Sequence, residues 1–273
     1  QNLHLFVHLI DQDGRRWGQA DRRLQDVDHL PTSCWPPDTS HLARLTVPLE
    51  PGIAPGRYQL VLGVYTLEDL ARLNLIAQDG RVLGTAYELA KNVVTPAQVP
   101  PDVEELPIQE SVALDLAGAQ IVGYSLQDAQ PESGETLEIT FFWQVLEPIQ
   151  HDHELLLAFL KDGQPVAEHR VLPAGPDHLT SDWLPGELFA YTYELAVPAE
   201  AGGAYTLAVG LYPREQKSPD AAQLNALAPL DITYRERLYS VPAMDHAETV
   251  QFADSITLLG YDLGKERVEP GSR

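Results

Sequence analysis

The feature that most constrains how this chain can fold is an ordered internal repeat, because a repeat fixes the architecture before any single segment is assigned. In the first copy the run Leu5 to Leu9 is followed by Asp13-Gly14 and then by Thr32-Ser33-Cys34-Trp35-Pro36-Pro37. Val47-Pro48, Gly56-Arg57-Tyr58-Gln59-Leu60, Gly63-Val64-Tyr65 and Leu73-Asn74 complete it. The second copy runs Leu155 to Phe159, Asp162-Gly163 and Thr180-Ser181-Asp182-Trp183-Leu184-Pro185. It continues with Val197-Pro198, Gly203-Ala204-Tyr205-Thr206-Leu207, Gly210-Leu211-Tyr212 and Leu224-Asn225. The offset drifts only between 147 residues (Tyr58 to Tyr205) and 151 (Asn74 to Asn225), as small loop changes would produce.

The second copy has an upstream part that the first lacks. Ile121-Val122-Gly123-Tyr124 precedes Gly134 and the alternating run Leu137 to Trp143. Leu258-Leu259-Gly260-Tyr261 precedes Gly271 with the same spacing of 11 residues between glycines, which marks the opening of a third copy. The sequence begins at Gln1 inside an apolar run, and the expectation is a fragment whose first copy lacks its opening strands.

Short β-branched or aromatic segments separated by turn signals predict an all-β fold of tandem immunoglobulin-like antiparallel β-sandwich modules, the first one truncated. Asp13-Gly14, Asp79-Gly80 and Asp162-Gly163 each read as type I′ hairpin turns. Twenty-two prolines and nineteen glycines, scattered along the chain, oppose long helices, although one or two helical turns are expected over 71–78. Tyr58 and Tyr205, each two residues before a buried strand position, resemble the tyrosine corner of such sandwiches. The expected boundaries are a first module over 1–95, a Pro-rich acidic linker over 96–110, and a complete second module over 111–236. Residues 247–273 are the opening of a third, predicted to dock on the open edge of the first within the chain or in a strand-exchange dimer.

Lys plus Arg total 18 and Asp plus Glu total 40, a net charge of −22. Such a surface repels phosphate backbones and anionic lipid heads, so nucleic acid is excluded as a partner. Cys34 is the single cysteine, which rules out an intrachain disulfide and a cysteine-based zinc site. No apolar run is long enough to span a bilayer as a helix.

Several of these motifs together resemble modules of bacterial polytopic membrane proteins of the glycosyltransferase type. They are Phe6-Val7-His8-Leu9-Ile10-Asp11 with Asp13-Gly14, Gln19 and Asp21, Pro31-Thr32-Ser33 with Trp35, the Gly-x-Tyr-x-Leu-x-x-Gly-x-Tyr strand, and Leu258 to Leu263. The resemblance implies extracytoplasmic β-sandwiches that follow a transmembrane catalytic region. It brings no catalytic residues, and it makes the rest of that parent protein a partner.

Each candidate site also has a structural reading. Asp11, Asp13 and Asp21 suggest calcium, but the further ligands of an EF-hand loop do not follow, and copy two places Lys161 where Asp11 stands; a turn is favoured. His4 and His8 share a strand face, and His151 and His153 flank Asp152, without the spacing of a helical zinc motif. Asp182 and Glu187 are an acidic pair of the kind that hydrolyses a glycosidic bond, yet Cys34 and Thr39 replace them in copy one. Ser, His and Asp are present without a signature that groups them. Trp143, on a strand with Phe141, reads as core, and Trp17 has no counterpart. Trp35 and Trp183 are the ligand-binding candidates, through stacking on a sugar ring, against the alternative that each indole packs on its own module. No catalytic residue, metal or cofactor is assigned. The expected function is a non-catalytic spacer or interaction stack, with a glycan as ligand; the competing reading is a β-sandwich glycoside hydrolase with carboxylates in one copy.

Overall fold

The computed structural model describes residues 1–216, 224–236, 240–253 and 255–264. Gly271, used above to mark the third copy, lies outside the described residues, as does the end of the 247–273 segment. The strands in chain order are β1 (Leu3–Ile10), β2 (Arg16–Arg23), β3 (Gly56–Thr66), β4 (Leu75–Ile76), β5 (Val82–Gly84) and β6 (Tyr87–Val94). There follow β7 (Glu110–Leu116), β8 (Ala119–Leu126), β9 (Thr136–Val145), β10 (His153–Lys161), β11 (Gln164–Val171), β12 (Leu188–Ala196), β13 (Gly203–Pro213) and β14 (Asn225–Ile232). Last come β15 (His246–Phe252) and β16 (Ile256–Tyr261). The protein is all-β, with three short 3-10 turns among the described residues, at Thr32–Cys34, Val103–Glu105 and Thr180–Asp182. The helical turns expected over 71–78 are absent; β4 and β5 form a small hairpin there.

Two sheets have the same order, β2-β1-β3-β6 and β11-β10-β13-β14, and so express the repeat directly. Phe6 faces Gly63 across β1 and β3, while Leu156 faces Gly210 across β10 and β13. Both glycines lie under an aromatic ring, Phe6 over Gly63 and Tyr212 over Gly210, where an added Cβ would collide. The second copy closes its sheet with another, β12-β9-β8-β7. Between them lie Leu137, Ile139, Phe141 and Trp143 of β9, packed with Leu155, Leu157, Phe159, Leu207 and Val209. Strand periodicity accounts for this, since alternate residues of each strand point to one face.

Asp-Gly supports a different loop in different places. Asp162 and Gly163 both have positive φ (52° and 77°), the type I′ geometry. Between Asp11 and Arg15, and again between Ala77 and Arg81, only the glycine is left-handed. Gly14 N–H donates to Asp11 O and Asp11 N–H to Arg15 O, with the same pair of bonds at Ala77, Gly80 and Arg81. These are type I turns followed by a left-handed glycine, so two of the three type I′ expectations are corrected.

By compactness the chain divides into a unit from Gln1 to Thr233 and a second from Tyr234 to Arg273. The first two modules therefore share one unit, and the linker region 96–110 is built into it: Leu106 is buried, and Asp102 and Glu105 form a capping box over the 3-10 turn. In the second unit β15 and β16 pair with each other as a sheet of two. Their register reproduces that of β7 and β8. Glu110↔Tyr124 and Leu114↔Ile121 correspond to His246↔Tyr261 and Val250↔Leu258, with an irregularity at the same place in each. Gly123 is pressed against Ile108 and Gly260 against Met244, which explains the glycine in both motifs. No helix among the described residues is long and apolar enough to cross a membrane.

Candidate functional site at the module junction

The first two modules meet in a second apolar cluster, distinct from the core of the complete sandwich. Leu9, Trp17 and Tyr58 come from the first module, Leu106 from the linker, and Val122, Phe142, Leu188 and Ala190 from the outward face of the β12-β9-β8-β7 sheet. Phe141, Phe142 and Trp143 are all buried because β9 is covered on both sides: Phe141 and Trp143 face the sandwich core and Phe142 faces the junction. Ala190 N–H donates to Gly52 O at 2.6 Å, and Ile53 bridges to Ala190, so backbone also crosses the boundary.

A polar clasp surrounds this cluster. Arg57 holds the Asp177 carboxylate through Nε (2.9 Å) and a terminal nitrogen (2.5 Å), while Gln12 Nε2 donates to the same side chain at 2.8 Å. Arg15 reaches Glu194 at 2.5 Å and Asp13 at 3.2 Å. Hydrogen bonding to Arg57 keeps the Asp177 carboxyl below its ordinary value. Burial raises the Tyr58 and Tyr191 hydroxyls, with Asp11 adding in the same direction. Tyr58 O–H donates to Ala54 O at 2.7 Å, the backward bond expected of a tyrosine corner.

These carboxylates are committed to structure. Asp11 accepts from Asp13 N–H, Arg15 N–H and the Trp17 indole, fixing its turn and the ring behind it. Asp21 accepts from Tyr65 O–H. Among the described residues no group of three or more His, Cys, Asp or Glu side chains is arranged to hold a metal ion. His4 lies against Tyr65 and His8 against Phe6, and burial lowers the His8 imidazole below its usual value. His153 Nδ1 bonds to His151 O rather than converging with the second ring.

The two repeated tryptophans have the same backbone anchor. Trp35 Nε1 donates to Leu30 O and Trp183 Nε1 to His178 O, each five residues upstream. Trp183 is 2% exposed, enclosed by Trp143 and Phe189, and offers no ring face to solvent. Trp35 is half-buried, with its ring stacked on His41 at 4.2 Å. Glu187 is buried and pairs with His178 at 2.9 Å, whereas Asp182 is exposed in its 3-10 turn. The pair is thus divided between interior and surface.

One constellation escaped the sequence. His41 bonds Asp26 through Nδ1 at 2.9 Å and Thr39 Oγ1 through Nε2 at 2.8 Å. It has the outline of an acid–base–hydroxyl chain, but Thr39 gives its only hydroxyl proton to Pro36 O at 2.7 Å. The hydroxyl is thereby engaged by loop backbone, and the chain ties a loop beneath Trp35. No motif spacing would have revealed it, since Asp26 and His41 are joined only by the path of the loop. Comparison with protein-family models and with curated proteins finds no match to the chain.

Proposed function

We propose that this chain is a rigid, non-catalytic stack of β-sandwich modules serving as a spacer or interaction segment of a larger cell-envelope protein. The junction carries this reading. Adjacent modules move independently by default unless a large apolar interface joins them, and here an apolar cluster, backbone bonds and an ionic clasp do so together. The likeness to extracytoplasmic modules behind a transmembrane catalytic region supplies the setting, with the remainder of that parent as the partner. A glycan ligand fits the same reading through Trp35, the member of the tryptophan pair that keeps solvent exposure.

Rigidity is directly measurable. Cys34 is free and exposed, so a spin label there, paired with one at Gln164→Cys on β11, reports the distance between modules. A narrow distance distribution is expected, broadened by Phe142→Ala with both modules still folded. A broad distribution in the unmodified pair would remove the strut. A polysaccharide pull-down with Trp35→Ala tests the glycan: binding that ignores the substitution excludes this ring.

A further inference from the structure

The hairpin of β15 and β16 has the register of β7 and β8, so Val250, Phe252, Ile256 and Leu258 stand where Leu114, Leu116, Ala119 and Ile121 stand in the second module. There Leu116, Ala119 and Ile121 belong to the sandwich core, and Leu114 packs against it. In the hairpin all four positions are exposed, Ile256 at 66%. They share one face, since Val250 pairs with Leu258 and Phe252 with Ile256. A two-stranded hairpin is marginal in water by itself, and a contiguous apolar face without cover marks a contact surface.

The first module has the complementary lack. Its sheet β2-β1-β3-β6 matches β11-β10-β13-β14, but residues 1–95 contain no equivalent of β7, β8 or β9. Leu207 and Val209 of β13 are fully buried in the second module, whereas the matched Leu60 and Leu62 of β3 are only half-buried. Tyr87, opposite Leu62 on β6, is exposed. Charge points to the same face. Residues 1–95 contain nine Lys or Arg against eleven Asp or Glu, and the rest of the chain nine against twenty-nine. The strands β15 and β16 hold Glu248 and no Lys or Arg, so the first module is the part of the chain that repels them least.

We propose that two copies of this chain exchange hairpins, the face formed by Val250, Phe252, Ile256 and Leu258 in each docking on the Leu60 and Leu62 face of the first module in the other. The contact repeats between copies the packing that β7 and β8 make inside the second module, and a reciprocal exchange closes at two chains. It needs neither a rigid junction nor a glycan, so it fails separately from the spacer and pull-down measurements.

Sedimentation velocity of the whole chain between about 1 and about 100 µM tests this. A monomer–dimer equilibrium is expected, with the methyl resonances of Leu60, Leu62 and Val64 shifting as the dimer forms. Ile256→Asp, at an exposed position, should weaken the dimer at least about tenfold, and so should Leu62→Asp. An equal mixture of the two variants should regain association, because each chain keeps the surface that the other has lost. A monomer throughout, a dimer indifferent to Ile256→Asp, methyl shifts confined to the hairpin, or two folded variants that stay apart when mixed would each overturn the exchange. If Leu62→Asp does not fold, the methyl shifts of the unmodified chain and the effect of Ile256→Asp decide the matter.

Discussion

Residues 193–197 and the aligned segment 43–47 have matching patterns and different fates. Tyr193, Leu195 and Val197 are buried, and their counterparts Ala43, Leu45 and Val47 are half-buried; Glu194 and Ala196 are exposed, as are Arg44 and Thr46. Yet β12 pairs with β9 along its whole length, while 38–46 contains no strand. The difference is a neighbour: β9 supplies a ladder in the second module, and residues 1–95 contain no equivalent of it. The apolar alternation decides which side chains turn inward. The hydrogen-bonded partner decides whether the segment becomes a strand.

Deleting the partner's main anchor should have the largest effect. Trp143 is fully buried on β9, and its indole donates to Tyr193 O–H at 3.0 Å while Tyr193 donates to Pro173 O. Trp143→Ala is expected to cost about 4 kcal/mol, through lost packing and a hydroxyl deprived of its donor. Equilibrium unfolding in urea measures it, and a loss under about 1 kcal/mol would show that β9 is not what holds β12 in place. The matched truncations Leu195→Ala and Leu45→Ala address the comparison itself. Leu195 should cost about 3 kcal/mol and Leu45 about 1 kcal/mol or less. Equal losses would mean that segment 38–46 is packed as firmly as β12.

The smallest effect belongs to the clasp, because Arg57 is largely exposed and its pairing is weakened by solvent. The folded-state carboxyl of Asp177 sits below its ordinary 3.8, so its stabilising contribution is present above that value and disappears as pH falls through the folded one. Asp177→Asn should therefore be slightly less stable than the parent at neutral pH, with the gap closing in acid. Urea midpoints measured from about pH 7 to about pH 2 follow this directly. A gap that widens in acid would show that the residue acts in some other way.

Much of the fold could be read from the letters. The repeat yielded two sheets of identical order, Trp143 lies in the core, and Tyr58 O–H bonds back to Ala54 O. What escaped depends on layers that a linear pattern does not contain. Phe142 falls on the opposite face of its alternating strand from Phe141 and Trp143, and only a second layer over β9 explains why it is buried. Arg57 and Asp177 are 120 residues apart, and nothing in their local sequence pairs them. Asp-Gly specified a turn each time but not its type, because one more residue in the loop shifts the left-handed position to glycine alone. In sequence Glu187 stands out only as half of an acidic pair, and its histidine partner nine residues upstream bears no motif.

The cluster that joins the modules also sets an order of events during synthesis. Leu9 rests against a floor that includes Ala190, a residue made 181 positions later. At ordinary translation speeds that separation is roughly ten to thirty seconds, during which the emerging first module has an uncovered apolar end. Its earliest strands must wait, guarded or at risk, until the ribosome has delivered the surface they are shaped to meet.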